Sequence, residues 1–487
     1  MTRTLSLSAL LLLGACTVGP NYAGPPATAT DAVTRGNFVR ATDPAFTPAP
    51  GLARWWEGLN DPLLTRLVDD ALAHSPTIDQ ALARVREAQA QLSQQRASLK
   101  PSASANATVL AAELPPFQPG SDATSVQFYN VGANASWELD LFGGGRRQIE
   151  QTRATGDARI ADLADVQVSL SAGVAQAYVA LRDVQARIGL SDATTRLQQQ
   201  QLALTRQRLA AGTASQLSVE RLQTQLENTQ AQAIPLAAQR DEYLNQLAVL
   251  TGRTPGALDA TLSAVVPVPL PPAQVAVGDP AALIARRPDV RAAERQLAAG
   301  TAAIGVAKAR ELPGIRFLGL LGLGGTSPGS VFDLGNLTAL AAPSLSWSFL
   351  DFGKNRAATR VSEAQRDQAD ATYRKTVLDA LQDAETALSR FGNTRAQLGQ
   401  LVQAQATAAR ATALNRQRVA AGTTTLIDQL DVERQQLSAT SAVTQARAQL
   451  TQSYIAVNKA LGLGWTDPVS VDAGRSAATA TPPRSSR

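Results

Sequence analysis

Arg208-Leu209-Ala210-Ala211-Gly212-Thr213 returns 210 positions later as Arg418-Val419-Ala420-Ala421-Gly422-Thr423. Each copy interrupts a long run of helix-forming residues with a single Gly. A Gly ahead of a β-branched Thr reads as a left-handed helix end followed at once by a restart. The two stretches therefore predict the tips of two long helical hairpins. Upstream of the first tip no Pro intervenes between Arg146 and Ala211, and Leu163, Val166, Leu170, Val174, Ala177, Leu181, Val184 and Ile188 follow at steps of three or four, a coiled-coil seam. At a rise of ~1.5 Å per residue this predicts a rod of roughly 100 Å. Beyond Gly212 a second helix over 215–250 returns along it and ends at Gly252, with Pro235 as a place for a kink.

The repetition extends well beyond the tips. Pro76 to Ala107 matches Pro288 to Gly319 at an offset of 212, including Pro101 against Pro313. Phe142, Arg146, Gly212 and Gly252 match Phe352, Arg356, Gly422 and Gly462 at an offset of 210, so the two-residue difference falls between them. A period of this size means two copies of one large supersecondary unit. The chain then divides into a signal peptide (1–15), an extended N-terminal arm (16–54), a first repeat (55–252, tip at 208–217), a Pro/Val-rich connector (253–279), a second repeat (280–465, tip at 418–427) and a disordered C-terminal tail (466–487).

Inside each repeat one segment changes character. From Pro101 to Phe142 helix formers thin out, and small residues alternate with Val, Leu, Phe and Trp around a Pro/Gly-rich break at Leu114 to Gly120. This predicts a β-hairpin near 102–141 with arms of about ten residues, the length of a tilted membrane-crossing strand. A second hairpin is expected near 314–352. On this segment alone a water-soluble hairpin is an equal reading. Four strands cannot close a barrel, and a lipid-exposed sheet edge would leave backbone groups without partners. Strands that cross a membrane therefore require several copies of the chain. Two would give eight strands with a filled interior, and three would give twelve, wide enough for a water-filled lumen.

Composition agrees with wet helical rods. Of the 487 residues 44% are hydrophobic and only 4% aromatic, too few rings for a large aromatic core. The net charge of +5 does not indicate nucleic acid, because the Arg residues are interspersed with Asp, Glu and Gln along helices. One His and one Cys exclude an intramolecular disulfide and most metal sites and catalytic triads, so no enzyme, metal or cofactor is expected. Cys16 is the informative residue. It follows Arg3 and the apolar run Leu5 to Leu13, too short to span a bilayer as a helix, and closes Leu13-Gly14-Ala15-Cys16. That ending resembles the bacterial lipobox, which implies a covalent lipid on Cys16; an ordinary cleavage site with an incidental Cys is the alternative. Thr17, where an Asp would favour inner-membrane retention, implies delivery to the outer membrane.

Together these features resemble the TolC/OprM/NodT outer-membrane factor family. The likeness is carried by Cys16-Thr17-Val18-Gly19-Pro20-Asn21-Tyr22, Trp55-Trp56, Asp61-Pro62, Arg286-Arg287-Pro288-Asp289-Val290, Gly305-Val306-Ala307-Lys308-Ala309, Asp351-Phe352-Gly353 and the two Ala-Ala-Gly-Thr tips, from Cys16 to about Trp465. It implies a membrane α+β protein: a homotrimer with a twelve-stranded transmembrane β-barrel, four strands per chain, continued by a long periplasmic α-helical barrel. It also implies a passive outer-membrane duct of a tripartite efflux pump, partnered by a periplasmic adaptor (membrane fusion protein) and an inner-membrane transporter. A duct for type I protein secretion and a lipid-anchored periplasmic scaffold or adaptor are the alternatives.

The resemblance places function at the tips. Asp428 and Asp431 share one helix face and align with an acidic periplasmic constriction, Arg434 matches an arginine that pairs with acid there, and Ile427 is placed to add an apolar ring; solvated helix residues near a turn are the alternative, an equal one for Arg434 and Ile427. Crowding of such carboxylates in an oligomer is expected to raise their pKa values and favour cations. Ala211, Gly212, Thr213, Ala421, Gly422 and Thr423 are the expected adaptor contacts. The first tip departs from the pattern, since Leu217 and Ser218 stand where the second has Ile427 and Asp428. Inter-helix gating links built on Asp, Tyr and Arg are also missing, with Ser218, Val419 and Thr424 in their places. His74 reads as a helix-end residue, and Gly143-Gly144-Gly145-Arg146 as a strand-to-helix junction and not a phosphate loop.

Overall fold

A computed structural model describes residues 17–114 and 124–465. The expected signal peptide, Cys16, the first hairpin's loop and the C-terminal tail lie outside the described residues.

The chain forms two compact units that share its long helices. The first (described from Thr17 to Pro26, then Ala83–Ile160 and Ala292–Lys375) contains one antiparallel sheet of four strands in the order β2-β3-β5-β6. Strands β2 (Ser102–Leu114) and β3 (Thr124–Leu139) form the first hairpin, longer than the sequence pattern predicts, and β5 (Gly314–Gly325) with β6 (Leu337–Ser346) forms the second. β3 joins the hairpins by pairing with β5, with Trp137 opposite Phe317. Within the chain β2 and β6 are edges, and Val109, Leu110, Phe128, Val131, Leu321 and Leu340 lie exposed on the sheet.

Two equivalent devices turn each hairpin into helix. Trp137 Nε1 donates to Leu99 O at 3.1 Å, and Trp347 Nε1 donates to Glu311 O at 3.1 Å. An aspartate then caps the next helix by accepting from its orphan backbone donors. Asp140 accepts from Gly145 N and Arg146 N at 2.8 and 3.0 Å, and Asp351 from Gly353 N and Asn355 N at 2.9 Å each. These caps start α4 (Gly144–Ala210) and α9 (Lys354–Ala420), each of 67 residues. The N-terminal segment packs here as well, with Val18 N donating to Phe142 O at 3.0 Å.

The second unit (Ala27–Leu82, Ala161–Arg291 and, as described, Thr376–Trp465) holds the hairpin tips and the start of each repeat. Asp61 caps α2 (Pro62–His74) with Pro at the first helical position, and α3 (Pro76–Ala97) follows. His74 turns its Nδ1 to Asp70 O at 3.1 Å. Helix α5 (Gln216–Leu250) returns from the first tip and runs through Pro235 without interruption; α10 (Leu426–Ala460) returns from the second. In the seam Leu163, Leu170, Val174, Ala177, Leu181 and Val184 are buried.

Arm and connector hold more structure than their Pro-rich composition predicts. The arm forms α1 (Thr30–Arg35) and β1 (Phe46–Thr47), and the connector forms α6 (Asp259–Leu262) and β4 (Val275–Ala276). β1 and β4 pair in parallel over buried Phe38, Ala45 and Val275. Arg182, buried on α4, donates to Ala264 O at 2.7 Å and so fixes the connector. Trp55 and Trp56 are fully buried, and Tyr454 donates to Trp55 O at 3.1 Å. Arg287 closes α7 (Pro280–Arg286) against the start of α8 (Pro288–Ala309): it pairs with Asp289 at 2.6 Å and donates to Ala460 O at 2.7 Å.

Candidate functional site: the two hairpin tips

Both tips use the same backbone solution. Gly212 and Gly422 have φ of 74° and 69°, the left-handed region that lets a helix end without strain. Behind them Thr213 N donates to Arg208 O at 2.8 Å and Thr423 N to Arg418 O at 2.9 Å, closing the last turn. Ala211 to Thr213 and Ala421 to Thr423 are exposed, as a docking surface requires.

The restarts differ, and the difference lies at one aligned position. In the second tip Thr425 accepts from Asp428 N at 3.2 Å, while Asp428 Oδ2 accepts from Thr425 N at 3.0 Å, Thr425 Oγ1 at 2.6 Å and Thr424 Oγ1 at 2.9 Å. This reciprocal capping box satisfies orphan donors at the helix start. In the first tip Ser215 accepts from Ser218 N at 3.2 Å, and Ser218, too short to reach back to the backbone, meets only the Ser215 hydroxyl at 2.9 Å. The Thr425 hydroxyl, then the Thr425 backbone N–H and the Thr424 hydroxyl, hold the Asp428 carboxyl below the usual carboxylate range. That is opposite in sign to crowding, and within one chain capping decides it.

Ile427, Asp428, Asp431 and Arg434 all lie in the first turns of α10, with Ile427 half-buried and its counterpart Leu217 exposed. Arg434 Nε stands 3.9 Å from Asp431 Oδ1, a loose pair. The partner that the sequence reading missed is Gln201. Its Nε2 donates to Asp431 Oδ1 at 3.0 Å, joining α4 of the first hairpin to α10 of the second. A signal for it was present. Extending the seam beyond Ile188 by threes and fours reaches Gln198, Gln201 and Thr205, all buried, where an apolar residue would otherwise stand.

The hairpin interiors contrast in chemistry. The first closes on buried Leu202, Val219 and Leu226, with Leu209 and Leu222 packed against them. The first also carries Arg206 to Gln223 at 3.0 Å; the second matches it with Arg416 to Glu433 at 2.9 Å and adds Asn415 to Gln429 at 3.1 Å and Thr412 Oγ1 to Val432 O at 3.3 Å beside buried Leu430.

The solved outer-membrane channel OprN superposes with a TM-score of 0.83 at 33% identity, covering 93% of this chain and 100% of that one. The family model described as outer membrane efflux protein matches residues 67–253 and 280–463, one stretch in each repeat. Pyoverdine export outer membrane protein OpmQ of Pseudomonas aeruginosa is 33% identical over 481 residues, spanning 95% of this chain and 97% of its own. Solvent efflux pump outer membrane protein SrpC of Pseudomonas putida is 30% identical, spanning 95% of this chain and 98% of its own. The chain belongs to the outer membrane efflux protein family and is an outer-membrane efflux component.

Proposed function

We propose that three copies of this chain assemble into a passive duct, with a twelve-stranded barrel in the outer membrane and a helical barrel in the periplasm. The observation that carries this reading is the four-stranded sheet whose edges, β2 and β6, are both unpaired among the described residues while apolar side chains lie exposed on it. Such a sheet in lipid needs its edges closed by neighbouring copies. Twelve strands leave an aqueous lumen, as a duct requires. A lipid on Cys16 anchors the arm to the same membrane. The exposed turns at Gly212 and Gly422 meet a periplasmic adaptor, which connects the duct to an inner-membrane transporter that supplies the energy. Small molecules, in the class of the pyoverdine and solvents named for the relatives, pass through without chemistry at the wall. Native mass spectrometry of detergent-extracted protein tests the assembly, with conductance in planar bilayers as the functional arm. A trimer that conducts is expected; a detergent-independent monomer without conductance overturns the proposal.

A further inference from the structure

We propose that Leu318, Leu320 and Leu340 form an apolar track on the lumen wall of the barrel, a contact site for amphipathic solutes in transit. The track rests on the duct reading and adds to it the class of solute that the wall itself retains.

Strand register decides which face of the sheet meets lipid. Ser102 pairs with Ser136, Ser136 with Leu318 and Leu318 with Ala342, so the even-numbered positions of all four strands share one face and the odd-numbered positions the other. On the odd face the positions from Ala103 to Val109, Tyr129 to Leu139, Ile315 to Leu323 and Leu337 to Leu345 carry no charge. The two polar groups among them are already bonded within the chain, the Tyr129 hydroxyl to Gln127 Oε1 at 2.9 Å and Trp137 Nε1 to Leu99 O. The even face of the first hairpin is the reverse. There the Ser102 and Ser136 hydroxyls meet at 3.0 Å, Asn134 Nδ2 donates to Asn106 Oδ1 at 2.9 Å, and Glu138 pairs with Arg316 of β5 at 2.9 Å. Such groups keep donors and acceptors that hydrocarbon cannot satisfy, so the odd face takes the lipid and the even face the water.

The even face of the second hairpin breaks this polar pattern. Leu320 lies directly opposite Leu340, and Leu318 stands two residues along β5, opposite Ala342. The three leucines are 45%, 36% and 58% exposed for Leu318, Leu320 and Leu340. On their other side β3 sets Ser136 against Leu318 and Asn134 against Leu320. Each copy thus places a leucine patch beside a hydroxyl and an amide, on the side away from lipid. A passive duct holds only water and cargo, so the patch is covered by cargo or by nothing. A solute that lays a ring or chain on the leucines removes apolar surface from water on both partners, while its polar group stays within reach of Asn134. A wholly polar solute gains nothing there and passes without delay.

Single-channel recording on the full-length protein in planar bilayers tests the track, with naphthalene-2-sulfonate as the amphipathic probe and methanesulfonate as its polar match. Burial of roughly 60 Å² of apolar surface lengthens residence about ten-fold. Interruptions of the current by naphthalene-2-sulfonate are therefore expected to last at least about ten-fold longer than those by methanesulfonate. Leu318→Thr, Leu320→Thr and Leu340→Thr combined remove that difference, threonine being a residue that strands accept. Leu320→Thr alone shortens the events by about three-fold, so the result does not depend on assembly of the triple variant. Ala339→Thr, one position away on the opposite face, keeps them. The face assignment has its own readout: a membrane-impermeant thiosulfonate in the aqueous phase modifies Leu340→Cys and not Ala339→Cys, each compared with the unsubstituted protein. Long events that persist in Leu320→Thr and in the triple variant, with Leu340→Cys modified as expected, sink the track and leave the duct standing. Modification of Ala339→Cys in place of Leu340→Cys reverses the faces and overturns the track. Absence of conductance from every protein, the unsubstituted one included, sinks the duct reading and the track with it.

Discussion

Arg147 Nη2 donates to Asn21 Oδ1 at 2.5 Å, a bond across 126 positions that fastens the segment after the expected lipid anchor to the start of α4. The same guanidinium donates to Val18 O at 3.1 Å and Gly19 O at 3.3 Å and pairs with Glu150 at 2.7 Å, with its side chain only 4% exposed. Arg147→Met removes all four interactions and leaves two carbonyls short of a donor. A loss of about 2–4 kcal/mol is expected in unfolding, with new protease cleavage in residues 17–26 while the sheet stays resistant. Equal protection of that segment in the variant would show that the dock does not depend on the arginine.

The dock also requires close backbone approach. A Cβ on Gly19, where φ is 91°, would overlap Gly305 Cα well inside van der Waals contact, and a Cβ on Gly305 would stand 2.7 Å from Arg147 Cγ. Both variants meet backbone, since a Cβ on Gly305 would also stand 2.8 Å from Val18 O, but Gly19→Ala adds the cost of a left-handed conformation. Gly19→Ala is expected to cost about 1–3 kcal/mol and Gly305→Ala less, read as a difference in melting temperature between the two variants.

The fold was largely legible because it is written twice. The Gly212 and Gly422 turns, Pro101 against Pro313 and the uninterrupted stretches before each tip mark element ends through local backbone chemistry, which a sequence carries directly. The short helix in the arm and the pairing of arm with connector were not legible. The order there comes from a two-residue pairing, Phe46–Thr47 with Val275–Ala276, between segments too distant for any periodicity to connect. At the tips the sequence pointed to Asp428 and Asp431 by residue type and spacing. It could not show that Asp428 faces its own helix start or that Asp431 faces Gln201, because the second relation is a tertiary contact 230 positions apart.

The tip glycines provide a test of backbone cost without a packing term. A Cβ at Gly212 or Gly422 would meet nothing within 4 Å. Alanine at either position therefore pays only for the left-handed conformation, about 1 kcal/mol. Amide exchange in the last turn of α4 or α9 should accelerate by roughly five-fold while the rest of the helix is unchanged. Acceleration spread along the whole hairpin would mean that the turn holds more than itself.

Acid near the duct mouth is expected to act on cations. In the trimeric reading Asp428 and Asp431 repeat three times, and multivalent cations should block conductance. Asp428→Ala combined with Asp431→Ala should relieve that block. Asp431→Ala also removes the acceptor for Gln201, so the block is read as a ratio of conductance with and without the cation.

Asp428 itself connects pH to the tip. Its carboxyl is held below the ordinary range by Thr425 and Thr424, so the folded tip binds its proton less readily than the unfolded chain does. The sign follows from linkage: where the unfolded state holds more protons, stability rises with pH. The capping contribution is therefore complete above the ordinary aspartate range, near pH 4, and is lost as pH falls through the lower folded value. Amide exchange at Leu426 to Gln429 should stay slow at neutral pH and quicken on acidification, and Asp428→Asn should flatten that dependence while partly preserving the cap. In the trimeric reading, repulsion among three copies opposes this and raises the same pKa. An Asp428 midpoint below that of an unstructured aspartate means capping prevails in the assembly. A midpoint above it means the carboxylates stand close enough to form the acidic ring, and the tip would then begin to loosen at a higher pH.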